Sequence, residues 1–331
     1  MKNYSQVKNE NFLSNSQTFL DSLSNVYFLL LKNHFKSSSF YLGNLLIPII
    51  IVLSLSVMLP ITYGFTWIIF ITMTFSAFAG YGTLFFTIRK STMIKNVDMT
   101  VNQSSSLYIG TLIVMLTITL ITFLVVFFSI IFFDLTNILL HQFVYEVDDP
   151  TTYRYIKWLK IDWSMITYYW FTQTILVFAI SFFIEKIFST QKNYFIFALI
   201  YLLGGIFFSG IFSSTLYINE NNDLMALDYD TFDNLNNFER QGYVSVYLWG
   251  QPLWWASQLW PHYGLNQLIS HSIDAASYTI DSSNTIIHSK WWEYNIFQNL
   301  SKNSLYYLII PWIWIFIFLF ISSILERYKK N

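Results

Sequence analysis

The sequence predicts an all-α polytopic membrane protein with six transmembrane helices. Three observations carry that reading. Only 11% of the 331 residues are charged, against about 25% in ordinary soluble domains. Six long stretches contain no Asp, Glu, Lys, Arg or His. The charges that remain are sorted by sign between alternate connections.

A bilayer core of roughly 30 Å takes about 20 helical residues. The uncharged stretches are 41–59, 62–88, 105–133, 163–184, 193–218 and 305–325. Backbone groups in hydrocarbon must be paired internally, which helices achieve within one segment. The period-2 alternation of a membrane barrel is absent.

Taking the elements in chain order, residues 1–25 are polar and rich in Asn, Ser and Lys. They read as a disordered cytoplasmic tail without a signal peptide. Residues 26–40 read as an amphipathic connecting helix on the inner membrane face. Val26, Phe28, Leu31 and Phe35 form its apolar stripe, with Lys32 and Lys36 beside it. Residues 41–331 then form the six-span domain, the first span acting as a signal anchor. Spans 2 and 3 are joined by a short segment with Met93, Ile94 and Val97 at helical spacing. Arg89, Lys90 and Lys95 flank them, and Asp98 follows. This is a short amphipathic helix at the inner face.

The outer connections are enlarged, at about 134–162 and 219–303. The first carries Glu146, Asp148, Asp149 and Pro150. The second opens on an acidic stretch that includes Asp228, Asp230 and Asp233. That cluster lacks the Gly and terminal Glu of a calcium loop and reads as solvated. Within the same connection, 249–270 is uncharged and contains Trp254, Trp255, Trp260, Pro261 and Tyr263. Pro261 interrupts a continuous helix, so this stretch reads as a broken or re-entrant element.

Orientation follows from charge. With both termini in the cytoplasm, the inner side holds 12 basic and five acidic residues, and the outer side six basic and 14 acidic. The sides carry +7 and −8, matching the net charge of −1 and the positive-inside rule. All 12 Trp fall in outer loops or outer halves of helices, the headgroup level that indole prefers.

Composition also excludes functions. Without cysteine there is no disulfide scaffold, thiolate metal site or cysteine nucleophile. The near-neutral chain offers no nucleic-acid footprint. Ion-coupled transport and intramembrane catalysis need titratable groups at depth, and channel filters need charged rings or carbonyl loops. His141, His262, His271 and His288 are scattered outside the spans, which leaves little for a lipid transferase. No P-loop is present, so energy for uphill movement must come from a separate subunit.

This order of parts resembles the permease of ABC-2 type transporters, the membrane-spanning subunit of ABC exporters. The segment between spans 2 and 3 matches that family's coupling motif at Arg89, Ser91, Ile94, Lys95, Val97 and Thr100. It departs at Lys90, Thr92, Asp98 and Val101. Leu203-Gly204-Gly205-Ile206-Phe207-Phe208 resembles the family's span 5 stretch, and Leu259-Trp260-Pro261-His262-Tyr263 its motif after that span. Pro48 in span 1 also fits. The resemblance implies a plasma-membrane protein that is not an enzyme by itself, with no catalytic residue, metal or cofactor of its own. It implies a partner ABC ATPase holding ATP and Mg, a second permease chain, identical or homologous, and membrane lipid around them. Arg89, Lys90, Met93, Ile94, Lys95, Val97 and Asp98 would meet the ATPase. The cargo implied is amphipathic or lipid-like and is exported. The alternative is a non-transporting membrane scaffold or anchor whose outer domain binds a partner.

Overall fold

The structure is a computed structural model. It describes residues 4–58, 61–90, 101–144, 154–156, 161–188, 190–208, 259–266, 268–269, 277–280, 286–287 and 296–330. These are almost entirely helical. In order come α1 (Tyr4–Lys36), α2 (Ser38–Phe40), a π-helix (Tyr41–Leu46), α3 (Ile47–Met58) and α4 (Ile61–Lys90). Then follow α5 (Val101–Val144), β1 (Arg154–Ile156), α6 (Trp163–Ile187) and α7 (Gln191–Phe208). The chain ends with β2 (Ser277–Ile280), β3 (Ile286–Ile287) and α8 (Ile296–Lys330).

The chain is a membrane protein. Among the described residues, four helical stretches are long and apolar enough to cross a bilayer: Ile68–Phe86, Leu107–Leu135, Trp163–Ile187 and Tyr307–Glu326. A fifth is the pair Phe19–Lys36 and Tyr41–Ser54, if that bent pair counts as one span. The sequence led us to expect six. The difference falls on 41–59, which follows a bend, and on 193–218, of which α7 covers the part to Phe208. Residues 209–218 lie outside the described residues.

Side-chain contacts fix the relative directions. Gln173 of α6 reaches Thr74 of α4, and Glu185 meets Tyr81, so α4 and α6 run parallel. Trp312 and Glu326 of α8 meet Tyr168 and Lys186, so α8 runs with α6. Thr119 of α5 meets Thr174, and Tyr108 meets Lys186, so α5 runs against α6. The core lies among these helices, with Ile69, Met73, Met115, Ile118, Leu176 and Ile180 buried.

The start of the chain differs from expectation. Residues 4–25, read as a disordered tail, are helical and continuous with the connecting helix. Helix nucleation is costly but extension is cheap. Packing at the C-terminal part of α1 supplies the nucleus: a Cβ on Gly110 would lie 2.8 Å from Val26, so α1 rests directly on α5 there. The helix ends at Ser37, an extended residue whose hydroxyl donates to the His34 carbonyl at 2.8 Å. Beyond it the chain turns by 79°.

The π-helix after this bend has a cause in the sequence. Pro48 has no N–H to give to the Asn44 carbonyl, four residues back. The ladder slips by one residue, and the Ile47 N–H bonds to the Leu42 carbonyl. The released Asn44 carbonyl accepts from Thr122 Oγ1 at 2.9 Å.

Helix α6 starts at a capping aspartate. The Asp162 carboxylate accepts from the N–H groups of Ser164 and Met165 at 3.0 and 3.3 Å. Replacing it (Asp162→Ala) is expected to lower stability by about 1 kcal/mol. Chemical unfolding in detergent would check this; a variant as stable as the parent would contradict the capping role.

Both long connections also depart from plain loops. The part of 134–162 up to Val144 belongs to α5. Strand β1 pairs antiparallel with β2 (Arg154 opposite Thr279), and β2 with β3 (Thr279 opposite Ile287). One small sheet therefore joins the connection after α5 to the one after α7. Residues 188–190 suffice to link α6 to α7, so Glu185 and Lys186, expected in that loop, stand in the last turn of α6.

Candidate functional site

Within the charge-free runs of the spans, the chemistry of the bundle rests on uncharged polar groups. The structure gathers them into two buried nodes, and a third, ionic node closes one end.

The first node sits where the bend meets the bundle. Asn44 is fully buried. Its amide nitrogen lies 3.0 Å from His34 Nε2, and its amide oxygen accepts from Ser76 Oγ at 2.7 Å. Ser76 Oγ and Thr122 Oγ1 are 2.9 Å apart. Thr83 Oγ1 lies 3.4 Å from His34 Nδ1. One asparagine thus links α1, the π-helix, α4 and α5. A Cβ on Gly43 would stand 3.2 Å from Ala79 Cβ, which shows how closely the π-helix approaches α4. His34 lies on α1, outside the four spans, and burial lowers its pKa from 6.5 to about 4. The ring is therefore neutral at pH 7. The node holds the bend by uncharged hydrogen bonds, each worth around 0.6 kcal/mol in membrane proteins. Asn44→Leu keeps the volume but strips partners from His34 and Ser76. It is expected to cost about 2 kcal/mol, read as a shift in detergent unfolding. An unchanged midpoint would show that the node carries no load.

The second node is built around residues 259–269. Leu259 is exposed, whereas 261–266 and 268–269 are buried. Trp260 to His262 form a turn and 263–266 a helical turn. His262 is fully buried, with Nδ1 2.7 Å from Gln173 Oε1. Gln173 Nε2 in turn donates to Thr74 Oγ1 at 2.8 Å. Tyr201 of α7 stacks on Trp260 with ring centroids 5.0 Å apart. Tyr263 and Leu268 pack with Tyr307 in a separate apolar cluster.

At the third node, Lys186 Nζ lies 3.7 Å from Glu185 and 3.5 Å from Glu326. It also stands 4.6 Å from the Phe182 ring centroid. Tyr81 OH donates to Glu185 at 3.0 Å. The charges tie together α4, α6 and α8 at the end opposite the Asp162 cap.

The residues singled out from sequence are placed as follows. Arg89 and Lys90 end α4. Met93, Ile94, Lys95, Val97 and Asp98 lie outside the described residues, as do Trp254, Trp255 and the Asp228, Asp230 and Asp233 cluster. Trp260, Pro261 and Tyr263 come together at the second node. On α1, Leu31 and Phe35 pack against the core, and Lys32 and Lys36 are exposed. Phe28 does not share that face: it is 64% exposed. The packed face runs through Tyr27, Leu30, Leu31 and His34, at true three- and four-residue spacing. Sequence reasoning missed His34, Asn44 and His262 as bonded groups. Asn44 lies four residues before Pro48 in an apolar run, and that pairing was the available signal. No group of three or more metal-binding side chains occurs among the described residues.

Fold and nodes together define a polytopic helical membrane protein whose helices meet through two uncharged polar nodes and one ionic node. Comparison with protein-family models, curated proteins and solved structures finds no match for this chain.

Proposed function

We propose that this chain is the membrane-spanning subunit of an ATP-driven exporter of the ABC-2 type. The observation that carries the reading is the bent entry to the bundle. Helix α1 stands at 79° to the helix that follows, and His34 bonds it into the node shared with α4 and α5. A helix lying along the inner face and bonded to three membrane elements is suited to pass a push from a cytoplasmic motor into the spans. The uncharged spans favour a cargo that is amphipathic or lipid-like over a small ionic solute. The partners proposed are an ABC ATPase carrying ATP and Mg, and a second permease chain. The contact with the ATPase is assigned to 89–101. The setting proposed is the plasma membrane, with both termini in the cytoplasm.

The test begins with co-purification of the full chain from its source cells, looking for a Walker-motif ATPase. Liposomes containing both are then assayed for ATP-driven lipid export. Deleting 89–101 should abolish export while the chain remains in the membrane. Export that survives the deletion would refute the coupling role, and the absence of any ATPase partner would favour the scaffold reading. Because the chain has no cysteine, Ser16→Cys and Ser283→Cys report orientation directly. A membrane-impermeant maleimide on intact cells should label only the second.

A further inference from the structure

Among the described residues, three polar atoms at the second node are buried and find no hydrogen-bond partner: Tyr201 OH, Trp260 Nε1 and His262 Nε2. They belong to one cluster of rings. Tyr201 stacks on Trp260, and the His262 ring centroid is 5.6 Å from that of Tyr201. Orphaned polar groups in a low-dielectric interior are costly, and three in one cluster call for a common partner.

Their chemistry says which partner. Gln173 Nε2 donates to Thr74, so Gln173 Oε1 faces His262 Nδ1 and accepts a hydrogen bond from its N–H. His262 Nε2 is then an acceptor. Trp260 Nε1–H is a donor only, and Tyr201 OH donates readily. Two donors and one acceptor match a single hydroxyl oxygen, which accepts two hydrogen bonds and donates one. A charged group fits poorly, because the surrounding rings are apolar. Phe70 lies against His262, Phe78 against Tyr201 and Phe208 against Trp260. Gly205 lies beside Phe70 and the indole nitrogen. A Cβ there would stand 3.5 Å from Nε1 and 2.8 Å from Phe70.

We propose that Tyr201, Trp260 and His262 form a binding site for one uncharged hydroxyl group, supplied by a hydroxyl-bearing lipid or by water. The site stands whether or not the chain works with an ATPase. The experiment uses the full chain in phosphatidylcholine nanodiscs, read by thermal unfolding. The probes are dioleoylglycerol, which has a free hydroxyl, and its methyl ether, which cannot donate. Tyr201→Phe preserves the ring and removes one donor. Trp260→Phe is the second variant, and the pair forms a double-mutant cycle.

The expected result is that Tyr201→Phe lowers the unfolding midpoint and that the two variants are not additive, although their side chains share no hydrogen bond. A bridging oxygen produces that coupling. If the lipid is the source, dioleoylglycerol raises the parent's midpoint, the ether does not, and Tyr201→Phe weakens the lipid about tenfold. If water is the source, the coupling is present and neither probe acts. The proposal is overturned if Tyr201→Phe leaves the midpoint unchanged or raises it, because removing a truly orphaned hydroxyl from a buried site costs nothing.

Discussion

An alanine at Gly264 is expected to unseat the segment 259–269 from the bundle. Its Cβ would lie 2.8 Å from the Tyr307 carbonyl oxygen and 2.9 Å from Tyr307 Cα. Both are backbone atoms of α8, so no rotamer change relieves the clash. The carbonyl is there for a reason visible in the sequence. Its helical donor would be residue 311, which is proline. The freed carbonyl lies against Gly264, and only a glycine lets another backbone come this close. Overpacking of this kind costs about 3 kcal/mol, here paid in separation of Tyr263 and Leu268 from Tyr307 on α8. Detergent unfolding measures it. Gly80→Ala is the control: its Cβ would meet Ile118 Cγ2 at 3.9 Å, an ordinary contact, and alanine favours helix. The control should be neutral or slightly stabilising. A Gly264→Ala chain that unfolds like its parent would mean that 259–269 does not seat against α8.

Parts of this fold were legible in the sequence because they depend on what is missing from it. Spans α4, α5, α6 and α8 follow from charge-free runs, since a charge at depth is costly wherever the helix sits. The packed face of α1 was less legible. Phe28 is as apolar as its neighbours, and only the rotation of the helix on α5 decides that Tyr27 and Leu30 turn inward while Phe28 does not. The polar nodes were the least legible. Asn44, Ser76 and Thr122 look like scattered helix glue, and their convergence depends on crossing geometry that sequence spacing does not encode. His262 was assigned to an outer connection; it does lie between α7 and α8 in the chain, but its side chain is buried against the bundle. Glu185 and Lys186 counted as loop charges because they follow the last apolar residue of a run. In the fold the helix continues past that run and folds both charges onto its neighbours.

That last misplacement leads to the second large effect, at Lys186. Removing the ammonium by Lys186→Met leaves Glu185, 5% exposed, without this cation. Breaking a buried pair from one side costs about 3 kcal/mol, because a buried carboxylate loses a close cation. The Glu326 arm adds little, because that carboxylate is 33% exposed and exposed pairs are worth less than about 1 kcal/mol. The cause can be separated by a second substitution. Lys186→Met with Glu185→Gln removes the buried carboxylate charge as well, and the amide oxygen still accepts from Tyr81 OH. If electrostatics dominates, the double variant should recover most of the lost stability in detergent unfolding. If it recovers none, the loss lies in packing: the lysine stem and ammonium cover Phe182 and Tyr108, at 4.6 and 5.5 Å from the ring centroids. Methionine keeps much of that cover, so recovery is the expected outcome. It would mean that the Glu185–Lys186 pair, both on α6, adds no net stability over an uncharged pair, as buried pairs often do.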